Sequence, residues 1–154
     1  MPVKILVADD HEVVRQGVRT ILSSRPEWQV CGEVANGREA VEAAKKMAPD
    51  VTILDITMPV MSGLEAAKEI AKLNLDTRVL IFTMHYSSAL LQDVRSSGAR
   101  GYVLKSNAAR ELIHAVEKLL DGETFFDGES SPARERQKPS RKPLLLRQSL
   151  LFAR

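Results

Sequence analysis

The sequence has little of what marks secreted or membrane proteins. Its single cysteine, Cys31, cannot form an internal disulfide, which argues against a disulfide-stabilised secreted domain and agrees with a reducing compartment. Apolar runs such as residues 5–8 and 79–82 are four residues long, whereas a membrane-spanning helix needs roughly 20. The N-terminus lacks the cationic stretch and long apolar core of a signal peptide. We therefore expect a cytoplasmic protein with no membrane partner.

An excess of charge of one sign is also lacking, because the 154 residues carry a net charge of only +2. This balance hides an asymmetry. Residues 1–128 contain 15 basic and 18 acidic side chains, whereas residues 129–154 contain seven basic and two acidic ones. The overall charge therefore does not indicate nucleic-acid binding by the body of the protein. A hydrophobic content of 44% is sufficient for the core of one compact domain.

Short apolar stretches alternate with segments of helical periodicity. Each stretch is rich in Val, Ile or Leu and short enough for a buried strand; the stretches are residues 4–8, 29–34, 50–54, 78–82 and 101–104. Ser62, with Glu65 three residues later, forms a capping-box pattern at the start of the third helical segment. The alternation predicts an α/β fold, an open five-stranded parallel sheet with helices on both faces. We predict the flavodoxin-like strand order 2-1-3-4-5, which alternation alone does not prove.

Acidic, hydroxyl and basic side chains follow these predicted strands. Because the carboxyl ends of parallel strands meet at one edge, where α/β proteins bind ligands, we expect the side chains to lie together. Crowded carboxylates repel one another unless a cation compensates, and oxygen ligands suit Mg2+. A carboxylate can also attack phosphorus to form an aspartyl phosphate. A lone Asp there would more simply be a turn residue or helix cap, so the prediction depends on the whole set: Asp9, Asp10, Asp55, Thr83 and Lys105.

These residues lie in stretches that resemble the receiver domains of bacterial response regulators. The resemblance covers residues 1–121 and is carried by residues 5–11, 51–59, 62–65, 80–83 and 98–105. Residues 8–17 and 105–116 resemble the subfamily with LuxR/NarL-type output domains. The resemblance implies the flavodoxin-like, or CheY-like, fold. It also implies a signalling domain, not a turnover enzyme, that accepts a phosphoryl group from a sensor histidine kinase and forms a phosphorylation-dependent homodimer.

The resemblance assigns roles around the phosphoryl group. Asp55 would be the phosphoacceptor, and Thr83 and Lys105 would contact the phosphoryl oxygens. Tyr102 matches an aromatic switch position that responds to movement of Thr83, with a half-buried strand tyrosine as the alternative. One position departs from the family pattern, because Ser106 stands where many receivers have a proline after the lysine.

The resemblance also implies a Mg2+ site. Its ligands would be Asp9, Asp10, Asp55 and the backbone carbonyl of Thr57. His11 and His85 also lie near the predicted site. We expect both histidines to tune the site or to lie on the surface rather than to bind the metal.

We divide the chain into a receiver domain, residues 1–122, and a linker with a basic tail, residues 123–154. Residues 131–137 resemble the opening of a LuxR-type helix-turn-helix domain, but the 17 residues that follow cannot supply the several helices such a domain needs. The tail is therefore a remnant of, or a replacement for, a DNA-binding output domain. It could also be an interaction segment or a disordered extension. We expect no sequence-specific DNA binding from this chain, although full-length relatives would regulate transcription.

Three other functions fit parts of the pattern. Phosphatases of the haloacid-dehalogenase kind also place a nucleophilic Asp at a strand end, but they usually carry a second Asp where this sequence has Thr57. A nucleotide-binding flavodoxin-like module would need a glycine- or hydroxyl-rich loop after the first strand, where Asp9 and Asp10 would repel phosphate. A degenerate receiver that only docks proteins remains the third alternative.

Overall fold

The structure is a computed structural model that describes residues 2–126. Its five strands are parallel and lie in the order β2-β1-β3-β4-β5, as predicted. The strands are β1 (Val3–Ala8), β2 (Trp28–Val34), β3 (Val51–Leu54), β4 (Arg78–Thr83) and β5 (Gly101–Leu104). The helices are α1 (Glu12–Leu22), α2 (Gly37–Met47), α3 (Gly63–Lys72), α4 (Ser88–Ser96) and α5 (Ala108–Leu120), and a 3-10 turn, Lys105–Asn107, precedes α5. The predictions for the basic tail lie outside the described residues.

Helices cover both faces of the sheet, as predicted, because successive residues of a strand point to opposite faces. In β1, Ile5 and Val7 join a core with α1 and α5, whereas Leu6 and Ala8 join a second core with α2, α3 and α4. Strands buried on both faces are apolar throughout and do not alternate. This explains the continuous apolar stretches in the sequence. Within residues 2–126, no helix is both long and apolar enough to cross a membrane.

The start of α3 holds the loop that follows β3. Ser62 and Glu65 form the predicted capping box: the Ser62 hydroxyl accepts a hydrogen bond from the Glu65 backbone N–H at 3.2 Å, and the Glu65 carboxylate accepts one from the Ser62 N–H at 3.1 Å. Gly63 donates its N–H to the Ile56 carbonyl at 2.8 Å. A Cβ at Gly63 would lie 2.0 Å from the Asp55 carbonyl oxygen, so this approach requires glycine. The capped helix thereby fixes the backbone at Asp55.

The segment after α5 pairs with the outer edge of β5. Phe125 donates its N–H to the Arg100 carbonyl at 2.9 Å and accepts a hydrogen bond from the Tyr102 N–H at 2.8 Å. Both Phe125 and Phe126 are buried, and the Arg95 guanidinium of α4 lies 4.2 Å from the Phe126 ring centroid. Residues 123–126, which the sequence analysis placed in the linker, therefore pack onto the described domain.

We expect Phe125→Ala to lower the free energy of unfolding by about 3 kcal/mol, because a buried ring would be replaced by a cavity. Urea denaturation measures this difference. Val13→Ala is the control, since Val13 is 78% exposed and its truncation should change stability by no more than about 0.5 kcal/mol. Equal stability of the two variants would show that the segment after α5 does not contribute to the folded domain.

Val60, in the loop between β3 and α3, has a left-handed backbone with φ of 71°. A β-branched residue is strained in this conformation, and Val60 is 80% exposed, so no burial compensates. We expect Val60→Asn to raise the free energy of unfolding by about 1 kcal/mol, because asparagine tolerates the left-handed region. Val60→Ile, which keeps the branched Cβ, should give no gain. Thermal unfolding compares the variants, and equal gains from both would contradict the strain argument.

Candidate functional site

The carboxyl ends of β1, β3, β4 and β5 converge on one cleft. The strand order of the parallel sheet produces this convergence, because β1 and β3 are neighbours and β4 and β5 follow next to β3. The cleft has a volume of about 250 Å³ and is lined by Asp10, His11, Asp55, Thr57, Thr83, Met84, His85 and Lys105. Asp9 is buried and contacts the lining residue Lys105. The structure thus brings the predicted acidic, hydroxyl and basic side chains together at one edge of the sheet.

Lys105 links two of the carboxylates. Its Nζ lies 2.7 Å from Oδ2 of Asp9 and 3.4 Å from Oδ2 of Asp55. Lys105 ends the connection from β5 and begins the 3-10 turn that leads into α5, so its side chain extends back across the strand ends. With Ser106 following it, Lys105 reaches both acids.

Asp9 is held by contacts that the sequence analysis did not find. Arg15 of α1 donates from Nη1 to the Asp9 carbonyl at 2.6 Å and from Nε to Glu33 of β2 at 3.1 Å. Arg19 also pairs with Glu33. This network ties the loop after β1 to α1 and β2. The only sequence signal for it is an arginine on the first turns of α1, which does not identify a partner 18 residues away.

Burial and a neighbouring charge affect the pKa of the Asp55 carboxyl. The Asp55 residue is only 5% exposed. Burial raises the pKa of the Asp55 carboxyl above its ordinary value, and the negative charge of Asp9 raises it further, while Lys105 acts in the opposite direction. The ionised acid is therefore less favoured here than it would be in water.

The arrangement of ligand atoms fits a divalent cation. Asp9, Asp10, His11 and Asp55 each offer a ligand atom, and these atoms all lie within 4.8 Å of one another. Carboxylate oxygens are ligands that Mg2+ prefers, and a cation at this point would offset the repulsion around Asp55. The Thr57 residue lines the same cleft. The donor set therefore suits the magnesium ion that the sequence pattern implies.

Tyr102 connects β5 to the loop after β4. Tyr102 is fully buried, not half-buried as the structural alternative expected. Its switch role stays a prediction. The Tyr102 hydroxyl donates to the backbone carbonyl of His85, two residues after Thr83, and its ring stacks on Tyr86 with centroids 5.9 Å apart. Sequence reasoning missed Tyr86, because nothing in the local pattern pairs it with β5. A displacement of the Thr83 backbone would also move the His85 carbonyl, which accepts the hydrogen bond from Tyr102.

Comparison with known proteins places these features in a family. The sequence profile of the response regulator receiver domain matches residues 5–117. The chain is 42% identical over 125 residues to the oxygen regulatory protein NreC of Staphylococcus epidermidis, a match that covers 80% of this chain and 57% of NreC. It is 36% identical over 124 residues to the transcriptional regulatory protein DegU of Brevibacillus brevis, covering 80% of this chain and 52% of DegU. The chain thus spans little more than half the length of these relatives.

Solved structures agree with the sequence matches. A two-component response regulator of the LuxR family from Aurantimonas superposes with a TM-score of 0.80 at 36% identity, covering 90% of this chain and 100% of that one. The signal receiver domain of the response regulator NarL from Mycobacterium tuberculosis gives a TM-score of 0.76 at 35% identity, covering 79% and 98%. The fold is therefore shared with these proteins.

We expect Asp55→Asn to raise the free energy of unfolding of the metal-free chain at pH 7, by about 1 kcal/mol. The pKa of Asp55 is raised in the folded chain, so ionisation of this carboxyl destabilises the fold. The protonated carboxyl contributes its full stability below the unfolded-state pKa, and this stability is lost as the pH rises through the folded-state pKa. The amide imitates the neutral acid. The advantage of the variant should therefore disappear below about pH 3.9, where the wild-type carboxyl is protonated in both states.

Urea unfolding in the presence of EDTA, repeated at neutral and acidic pH, measures this advantage. Asp93→Asn is the matched control, because it removes a carboxylate from the exposed side of α4 and should leave stability nearly unchanged. An Asp55→Asn chain that is less stable than the wild type at pH 7 would show that the pair with Lys105 outweighs the repulsion.

Proposed function

Because the chain belongs to the response regulator receiver domain family, we propose that it is a two-component phosphorylation switch with Asp55 as the phosphoacceptor. One observation carries this proposal. Asp55 lies in a cleft beside a cluster of acidic side chains that could bind a cation, and the Lys105 ammonium lies 3.4 Å from the Asp55 carboxylate. Phosphoryl transfer mainly needs positioning and charge neutralisation. This cleft supplies both around a nucleophilic carboxylate.

The donor would be the phosphohistidine of a sensor histidine kinase. An Asp55 oxygen forms the new P–O bond as the P–N bond to the donor histidine breaks. The bonding electrons stay on that ring nitrogen, and the proton on the other ring nitrogen makes the departing imidazole neutral. Lys105 pairs with the transferred oxygens, and the Thr83 hydroxyl donates a hydrogen bond to one of them. Asp9, Asp10, Asp55 and the Thr57 carbonyl would hold Mg2+, which supplies further positive charge when it is bound. The chain modifies only itself and turns over no substrate.

The readout would pass through β4 and β5. Phosphorylation adds negative charge and acceptor oxygens at Asp55, which attract the Thr83 hydroxyl. Thr83 is followed by His85, whose carbonyl accepts the Tyr102 hydroxyl. A shift there biases the surface of α4, β5 and α5 between two arrangements. We expect this surface to dock a partner or a second copy of the chain as a phosphorylation-dependent homodimer.

The wider role is proposed from the relatives. The names of NreC and DegU describe regulators, and DegU is a transcriptional one. Full-length relatives with an output domain would therefore act on transcription from the cytoplasm. Residues 131–137 resemble a helix-turn-helix opening. Those residues lie outside the described part of the chain.

Incubation with acetyl phosphate should add one phosphoryl group to the full chain when Mg2+ is present, and intact-protein mass spectrometry detects the addition. Asp55→Asn should abolish it, because an amide is not a nucleophile for phosphorus. Lys105→Met should slow it by at least about tenfold, through the loss of charge stabilisation.

Asp93→Asn serves as the control and should be labelled like the wild type, because Asp93 lies on the exposed side of α4. Continued labelling of the Asp55→Asn chain would overturn the assignment of the phosphoacceptor. Absence of labelling in the wild type would favour a receiver that only docks proteins.

A further inference from the structure

The loop after β1 carries Asp9 and Asp10 and is tied to the end of β2 through both backbone groups of Asp9. The Asp9 N–H donates to the Val34 carbonyl at 3.0 Å, and the Asp9 carbonyl accepts a hydrogen bond from Nη1 of Arg15 at 2.6 Å. The same guanidinium donates from Nε to Glu33 at 3.1 Å. Consecutive residues of β2 therefore anchor Asp9, one of them directly and the other through Arg15.

The carbonyl that Arg15 holds belongs to the peptide bond between the two acids. A peptide unit rotates as one plane, so this hydrogen bond also sets the direction in which the Asp10 side chain leaves the backbone. The Asp10 carboxylate is 30% exposed, and within residues 2–126 its one polar partner is the exposed ring of His11, 3.2 Å away. The orientation of Asp10 therefore depends mainly on the backbone that Arg15 fixes.

Arg15 brings a positive charge close to a site for a positive ion. Coulomb repulsion between the guanidinium and a bound cation would weaken ion binding. The Arg15 side chain is only 18% exposed, and Glu33 pairs with both Arg15 and Arg19, which offsets its charge and holds it in place. The charge of Arg15 thus does not serve the cation site, whereas its hydrogen bond to the loop does.

We propose that Arg15 is a positioning residue for the Mg2+ site and orients the Asp10 carboxylate through the peptide bond after Asp9. This proposal rests on the proposed function for the existence of the Mg2+ site and adds the residue that pre-organises it. A carboxylate that is already oriented loses less conformational freedom when it binds an ion. Arg15 therefore raises the affinity for Mg2+ although its charge repels the ion.

Titration of the untagged full chain with MgCl2, followed by amide shifts in nuclear magnetic resonance spectra, measures the affinity and shows whether each variant is folded. Arg15→Met should weaken Mg2+ binding by about tenfold, a usual effect of losing a residue that orients a metal ligand. The charge of Arg15 alone predicts the opposite, because removal of a positive charge strengthens cation binding. An unchanged or higher affinity of Arg15→Met would overturn the proposal.

Arg15→Lys separates charge from hydrogen-bond geometry. Lysine keeps the charge but lacks the planar fork that donates to Asp9 and Glu33 together. Its affinity for Mg2+ should lie between those of the wild type and Arg15→Met. Binding as tight as that of the wild type would show that the fork is not needed, and binding weaker than that of Arg15→Met would show that charge decides. Either result contradicts the proposal, and the first comparison holds even if Arg15→Met does not fold.

Arg19→Met is the matched control. Arg19 also lies on α1 and pairs with Glu33, but in the described part of the chain it makes no hydrogen bond or ion pair with Asp9. Its side chain is 42% exposed, and exposed charges are largely screened, so Mg2+ affinity should stay within about twofold of the wild type. A loss as large as that in Arg15→Met would assign the effect to the pairing with Glu33 and refute a specific role for Arg15.

The outcomes separate this proposal from the proposed function. A chain that binds Mg2+ and is phosphorylated, but whose affinity does not depend on Arg15, retains the switch function and loses only the positioning residue. A chain with Arg15-dependent Mg2+ binding and no phosphorylation retains the positioning residue and loses the phosphoacceptor. A wild type that does not bind Mg2+ would overturn both, because no ion site would then exist for Arg15 to organise.

Discussion

The repulsion between two buried carboxylates, those of Asp9 and Asp55, is the constraint on which the rest of the site depends. Both are almost fully removed from water, and the charge of Asp9 helps to raise the pKa of Asp55. Such a pair is stable only if positive charge is fixed nearby. Lys105 provides one such charge, and it can do so because β5 lies on the same sheet as β1 and β3, with its carboxyl end at the same edge.

The same repulsion supports the proposed switch, because phosphorylation of Asp55 would add charge to a buried site. A ligand shifts a conformational equilibrium only by its difference in affinity for the two states, and a new charge at Asp55 changes the balance of a buried site more than that of an exposed one. The connections from this site are short. Thr83 leads to the His85 carbonyl, which holds Tyr102, and the Tyr102 N–H is bonded to Phe125. The segment after α5 is therefore hydrogen-bonded through Phe125 to β5, the strand that would respond to phosphorylation.

The local pattern of the sequence predicted the strands and the edge at which the site lies, because strand burial and strand ends depend on consecutive residues. The predicted strand order, 2-1-3-4-5, is confirmed by the structure, but the alternation of strands and helices alone did not prove it. The local pattern did not predict contacts between distant segments. Arg15 and Glu33 meet because α1 packs beside β2, and Phe125 joins β5 through a single bridging pair, too short to form a strand pattern. Tyr102 was recognised by its position, yet its full burial depends on the loop containing Tyr86.

The residue at position 57 bears on the difference between a switch and an enzyme. Thr57 lines the cleft beside Asp55, at the place where a phosphatase of the haloacid-dehalogenase kind would carry a second acid. General acid–base catalysis needs a group whose pKa lies near the working pH, and an alcohol does not meet this condition. A water molecule attacking an aspartyl phosphate here would gain no base from Thr57.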